Sequence, residues 1–272
     1  MKKNLLKVLF ISQEITPYVP ETEVSSLCRS LPEVVQMRGL EMRAFMPRFG
    51  CINERRNQLH EVIRLSGMNL IIDDTDHTLI IKVASIQTAR MQVYFIDNED
   101  YFHRRSMTAD ENGEEYDDND ERTIFFVRGV METVKKLRWT PDIIHCHGWM
   151  TALAPLYVKR AFNDDPFFRS AKVVYSVYND MFKKPFRALF ADRLKLNGIS
   201  DKDIQSISKG EINFNTLTKF AIDFSDAVIQ GSEEIPSDIT KYIKKKGITF
   251  LPYQEPERAP YVYCDLYKSL LN

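Results

Sequence analysis

Strand-forming runs and helix-period segments take turns along this chain, and that alternation limits the folds open to it. Lys7 to Ser12 (KVLFIS) is a short apolar run rich in β-formers, followed by Pro17 and Pro20, as expected of a buried strand that ends in a loop. From Val24 to Met37 the apolar residues Val24, Leu27, Leu31, Val34 and Val35 recur at helical spacing, and Gly39 closes the segment. Glu41 to Met46 reads as a second strand, ended by Pro47. A strand-helix-strand unit of this kind is how a parallel sheet begins. After the middle of the chain the alternation resumes. Residues 142–146 read as a strand, 151–162 as a helix, 172–177 as a strand and 212–224 as a helix. A strand follows at 227–230, then a helix at 236–243, a short strand at 248–251 and a terminal helix at 261–271. The expected fold is a doubly wound, mostly parallel α/β sheet of Rossmann-like form.

The middle breaks the pattern. Residues 59–65, 68–73, 78–86 and 91–97 are β-rich runs interrupted by Gly67 and by a turn over residues 73–76, which implies an antiparallel hairpin insertion. Residues 108–122 are acidic and polar, so a solvated surface loop is expected, overlapping the start of a helix over about 119–138. No repeat or flexible linker divides the chain. The expected organisation is one domain over residues 1–258, with a terminal helix over 259–272 packing back on it through Val262, Leu266, Leu270 and Leu271.

Charge and cysteine usage narrow the function classes. The formal net charge is -1, so no strong field draws the chain to nucleic acid or to anionic lipid. The cysteines Cys28, Cys51, Cys146 and Cys264 lie far apart without a CxxC pair, which argues against a disulfide framework or a zinc knuckle and fits a reducing, cytoplasmic setting. The N-terminal apolar stretch is interrupted by Lys7 and runs into Glu14, so it reads as a strand and not as a signal peptide. His145 and His147 alternate at a strand end and so share a face, but a pair lacking a third ligand nearby points to a structural role, and no metal is expected. The acidic run at 110–121 lacks the regular Asp spacing of a calcium loop. Lys244 to Lys246, beside Gly247, complement a helix dipole. Cys28 and Cys146 read as inert buried thiols, and Asp180 with Lys183 and Lys184 as a surface loop in preference to a segment facing a ligand cleft.

Several motifs in register carry a resemblance. They are KVLFISQEITP at 7–17, PRFG at 47–50, YFIDNEDYF at 94–102, ENGEEYDDNDER at 111–122, PDIIHCHGWMTALAPLY at 141–157 and SDAVIQGS at 225–232. Together they resemble the N-terminal domain of the ADP-glucose-dependent glycogen and starch synthases. That family's segments read Glu-x-x-Pro, Pro-Arg-Tyr-Gly, Leu-Asp-Asn-Pro-x-x-Phe, Asp-Asn-x-x-Arg, Pro-Asp-Val-Val-His-x-His-Asp-Trp-His-Thr-Ala-Leu-x-Pro-x-Tyr and Ala-Asp-x-Val-Thr-Thr-Val-Ser. The resemblance implies a single half of a GT-B glycosyltransferase, a retaining ADP-glucose:glucan glucosyltransferase fold whose second domain binds most of the nucleotide. It also implies that the terminal helix is the one that returns to the N-terminal domain, with the second domain excised.

The resemblance further locates the donor site, and the residues there depart from it. Transfer from a sugar nucleotide needs positive charge facing the diphosphate. The family's Lys-Thr-Gly-Gly-Leu loop falls on Pro20, Glu21, Thr22, Glu23 and Val24, and the aspartate that follows falls on Ser26. The lysine and both glycines are gone and carboxylates stand in the loop, which opposes a diphosphate. In the His-Asp-Trp-His motif the aspartate is Gly148 and the second histidine is Met150, while in the Thr-Ile-His-Asn segment the histidine is Tyr178. Glu14, Pro17, His145, His147, Trp149 and Asn179 retain the family pattern. No catalytic residue and no cofactor is assigned. The resulting expectation is a non-catalytic glycogen/starch synthase-like protein of glucan metabolism that binds glucan or protein. The rivals are an ADP-glucose-dependent glucosyltransferase, alone or completed by another chain, and a structural or oligomerisation module. The implied partners are an α-glucan or maltooligosaccharide, a full-length synthase, a separate C-terminal-domain protein or a second copy, with no nucleic acid and no membrane.

Overall fold

The computed structural model describes residues 5–104 and 106–272. In chain order the elements are β1 (Lys7–Ser12), α1 (Glu23–Met37), β2 (Glu41–Pro47), β3 (His60–Glu61), β4 (Met68–Ile72), β5 (Thr75–Ile86), β6 (Met91–Asp97), α2 (Glu99–Phe102) and α3 (Asn119–Lys136). After these come β7 (Ile143–His147), α4 (Ala154–Lys159), β8 (Lys172–Val177), α5 (Phe190–Arg193), α6 (Phe214–Asp223), β9 (Ala227–Gln230), α7 (Ser237–Lys246), β10 (Thr249–Leu251) and α8 (Ala259–Ser269). The strands line up as β10-β9-β8-β7-β1-β2-β6-β5-β3, with β4 paired to β5. From β10 to β6 all pairings are parallel, and β5 joins β3, β4 and β6 antiparallel. The doubly wound α/β sheet with its appended hairpins is therefore present. β1 sits near the centre, and Val8, Leu9, Phe10 and Ile11 are at most 1% exposed, so both of its faces are covered, as a parallel strand requires.

Three boundaries differ from the sequence expectation for local reasons. The turn expected over 73–76 is shorter: Ile72 pairs with Thr75, leaving Asp73 and Asp74 as a two-residue hairpin with positive φ at both, a turn whose twist matches its strands. Of the run at 59–65 only β3 joins the sheet. The helix expected over 151–162 is divided into a 3-10 turn at Trp149–Thr151 and the shorter α4, because Pro155 has no N–H to continue the ladder.

The acidic segment is less solvated than expected at its end. Asn119, Asp120 and Arg122, at the start of α3, are at most 5% exposed. Arg122 donates to the Tyr101 and Met107 carbonyls at 2.8 and 2.7 Å and to Asn119 Oδ1 at 2.6 Å. Arg187 donates to Asp120 and Glu121, which ties residues 119–122 to the long segment after β8. That segment, silent in the sequence, is held by an aromatic cluster: Trp149 to Phe182 at 5.0 Å, Phe182 to Phe186 at 4.8 Å and Phe186 to Phe190 at 4.9 Å between ring centroids.

The terminal helix α8 packs on α1, but through a different face from the one expected. Ala259, Pro260, Tyr263, Cys264 and Tyr267 are buried, whereas Leu266 and Leu270 are partly buried and Leu271 is 40% exposed. The aromatic i, i+4 pair outcompetes the aliphatic stripe because the Tyr267 hydroxyl has a polar partner inside, described below. Among the described residues no helix is long and apolar enough to cross a membrane.

Candidate functional site

Parallel register brings the carboxyl ends of β1, β7, β8 and β9 together: Ser12 lies beside His147, His147 beside Ser176, and Val177 beside Gln230. The residues that follow those strands, with the start of α1, wall the crevice in which open α/β sheets bind ligands. Every position the sequence singled out, whether substituted or retained, lies on the elements around this edge.

On one wall the start of α1 is closed by its own side chains. Thr22 is the N-cap: its hydroxyl accepts from the Ser25 amide at 3.0 Å, and Ser25 Oγ accepts from the Thr22 amide at 2.8 Å. The Thr22 hydroxyl also donates to Glu14 at 2.7 Å, the Ser25 hydroxyl donates to the Pro20 carbonyl at 3.0 Å, and the Ser26 hydroxyl donates to Glu21 at 3.1 Å. A reciprocal cap of this type satisfies amides that an unfilled helix start would present to an anion. Pro17, Pro20, Glu21, Thr22 and Glu23 are exposed, and Glu14 and Ser26 are partly so. Among the described residues no lysine or arginine is ion-paired with Glu14, Glu21, Glu23 or Asp180.

The opposite wall is rebuilt around its substitutions. Gly148 has φ of 85°, and a Cβ there would stand 2.8 Å from Gln13 Cβ, so the aspartate of the family pattern does not fit this backbone. Gln13 Oε1 instead accepts from the Met150 amide at 3.0 Å, and the Met150 side chain is fully buried. Tyr178 lies flat against Gly231, where a Cβ would come within 2.4 Å of the ring. Its hydroxyl meets His147 Nδ1 at 2.7 Å. The Asn179 side chain is exposed; its amide donates to Ser232 Oγ at 3.0 Å, and the Ser232 hydroxyl donates to Glu23, joining the two walls.

The retained histidines lie beneath this edge. Both are fully buried, and their ring centroids are 3.8 Å apart. His145 Nδ1 meets the Tyr267 hydroxyl at 2.6 Å and Nε2 meets the Ser176 hydroxyl at 2.7 Å, so α8 reaches the core of the site. Burial holds His145 well below its ordinary pKa, assisted by His147, and lowers His147 to about 3. Both rings are neutral near pH 7 and act as hydrogen-bonding struts. Among the described residues His147 Nε2 is buried without a hydrogen-bond partner. Trp149 anchors the aromatic cluster, and its amide donates to Asp180 Oδ2 at 3.2 Å. Asp180 thus turns into the crevice, which corrects its expected place in a surface loop. Burial raises its pKa to about 7, with Glu14 and Glu23 adding to the shift. Lys183 and Lys184 remain outside, where Glu115 accepts from their amides. Burial pushes Cys28 to about 12 and raises Cys146, so neither thiol is poised as a nucleophile. Among the described residues no three His, Cys, Asp or Glu side chains are grouped to hold a metal ion.

Sequence reasoning missed Gln13, Gly231, Ser232 and Tyr267 as parts of the site. The i, i+4 spacing of Tyr263 and Tyr267 was the available signal for the last of these. The others act by position alone.

Comparison with known proteins follows the same lines. The family model for the starch synthase catalytic domain matches residues 7–250, and the chain belongs to that family. Relatives include the glycogen synthase of Chlorobium limicola, 38% identical over 180 residues that make up 66% of this chain and 37% of that protein. The glycogen synthase of Pelodictyon phaeoclathratiforme is 37% identical over the same shares. The chain thus spans well under half the length of these curated relatives. Among solved structures, the catalytic domain of starch synthase IV from Arabidopsis thaliana, bound to ADP and acarbose, superposes with a TM-score of 0.73 at 18% identity. The match covers 92% of this chain and 52% of that one, and at this identity it speaks for the fold, one half of a GT-B glycosyltransferase.

Proposed function

We propose that this member of the starch synthase catalytic domain family serves glucan metabolism without transferring glucose itself, acting in the cytoplasm by binding α-glucan at the crevice. One observation carries the reading: the loop that should face a diphosphate is self-capped and acidic. One lysine lost and two carboxylates gained against the family pattern make Pro20–Val24 three charges more negative. Asp180 and Glu14 lie on the same edge, and among the described residues no lysine or arginine is ion-paired with them. Phosphates would meet repulsion where catalysis requires the opposite. A neutral saccharide escapes that penalty, since carboxylates are good acceptors for sugar hydroxyls. The domain limits expected from the sequence, residues 1–258 plus a returning helix, belong to this reading. So does partnership with a full-length synthase, a separate C-terminal-domain protein or a second copy.

Calorimetric titration of the chain with ADP-glucose and with maltoheptaose tests it. Saturable heat is expected for the oligosaccharide and none for the nucleotide sugar. Saturable binding of ADP-glucose, or the absence of oligosaccharide binding, overturns the proposal. The retained framework of His145, His147 and Trp149 supports one rival, ADP-glucose-dependent glucosyl transfer by this fold once a second lobe is supplied. Sustained ADP release with a glycogen primer, in proportion to protein added, would establish that rival.

A further inference from the structure

Beside the crevice, between α1, α8 and the segment joining β10 to α8, lies a cavity of about 340 Å³. Leu27, Ala259, Tyr253 and Tyr263 form its apolar part, and Glu23 and Glu257 are its acids. The volume suits a small molecule. Tyr263 is 1% exposed, and among the described residues its hydroxyl makes no hydrogen bond, so a polar group without a partner lines the cavity.

Among its lining residues the cavity carries Glu23 and Glu257 and no lysine or arginine. Glu21, Glu23, Glu233, Glu255 and Glu257 are exposed, and among the described residues none is ion-paired with a lysine or arginine. Two other acidic clusters are neutralised. Arg187 and Arg193 clamp Asp73, Asp120 and Glu121, and Arg48 and Lys82 hold Glu54 and Asp97. The Tyr253 phenol shows the resulting field. Burial raises its pKa first, and Glu255, Glu23, Glu233 and Glu257 add to the shift. Aromatic walls under a negative potential are the arrangement that recognises organic cations, through ring faces and paired carboxylates together.

We infer that this cavity binds a small organic cation, an ammonium or guanidinium group carried on an apolar body. The Tyr253 and Tyr263 rings and Leu27 seat the body, and Glu23 and Glu257 neutralise the charge. The cavity shares Glu23, Ser26 and Gly231 with the crevice walls, and Tyr253, Glu257, Ala259 and Tyr263 extend it beyond them.

Agmatine, which carries both cationic groups on an aliphatic chain, is the probe. Isothermal titration of the whole chain is expected to show saturable agmatine binding that weakens with salt. Affinity should fall at least ~10-fold in the Glu23→Gln/Glu257→Gln double variant. Glu257 makes no hydrogen bond among the described residues, so Glu257→Gln alone carries the test if the double variant fails to fold. Absence of saturable binding to the unmodified chain, or unchanged affinity in the variants, overturns the inference.

Discussion

Replacing Tyr267 by Phe removes one oxygen atom and should destabilise the chain by about 1–3 kcal/mol. The magnitude follows from the geometry around His145. The imidazole is neutral, so one ring nitrogen donates and the other accepts, and the hydroxyls of Tyr267 and Ser176 occupy both at 2.6 and 2.7 Å. Tyr267 and His145 are fully buried, so water has no path to replace the lost partner. Nδ1 would therefore be left with its full desolvation cost, while ring packing is unchanged. Tyr263→Phe is the matched control: it makes the same chemical change on the same helix, but no bond is broken, and a loss under about 0.5 kcal/mol is expected. Urea unfolding of the three proteins, monitored by far-UV circular dichroism, gives the comparison. If the two variants lie within about 0.5 kcal/mol of each other, the His145–Tyr267 bond is not what fixes α8, and the reasoning fails.

Other outcomes can be checked alongside. The histidine pair refuses protons in the folded state that it accepts near pH 6.5 when unfolded. Stability should therefore be complete above that pH and fall as pH drops below it. Asp180, raised from 3.8 to about 7, works in the opposite direction, so a net slope of about 1.4 kcal/mol per pH unit between roughly pH 4.5 and 6 is expected; a flat profile refutes it. Arg122→Lys cannot reproduce the contacts to Tyr101, Met107 and Asn119 and should cost at least ~3 kcal/mol in chemical denaturation, so a loss below about 1 would show that the guanidinium is dispensable. The triple change Pro20→Lys, Thr22→Gly and Glu23→Gly should yield no ADP release from ADP-glucose and should lower stability by about 1 kcal/mol through the lost cap; measurable transfer would mean that the loop alone silences the chain. Gly231→Val should destabilise by about 1–3 kcal/mol and by clearly less when Tyr178→His is also present; equal losses in both backgrounds would deny the coupling.

Fold and family were legible because they rest on periodicity and on contiguous motifs. β1, β8 and β9 lie where their apolar runs placed them, since a strand buried on both faces is a continuous apolar string. The loop chemistry was legible for the same reason: Pro20 to Ser26 is one uninterrupted segment. The return of α8 was also readable, but its face was not, because Val262, Leu266 and Leu270 form as good a stripe as Tyr263 and Tyr267 until His145 is known to lie beneath. Residues 181–211 have no period of their own. Phe182, Phe186 and Phe190 are ordered by Trp149, a partner more than 30 residues earlier in the chain. Gln13 and Ser232 act through geometry that no local pattern encodes.

The contact between Tyr178 and Gly231 also bears on the order of events. With the family's valine at 231 the phenol would have nowhere to lie, so a single-step path to this pair that avoids the clash changes residue 231 first. The way back is constrained in the mirror sense. Restoring a branched side chain at 231 before trimming residue 178 drives a methyl carbon into a rigid ring, whereas trimming residue 178 first leaves only a void. A lineage that had crossed this point could regain the ancestral wall by one sequence of steps and not by the other.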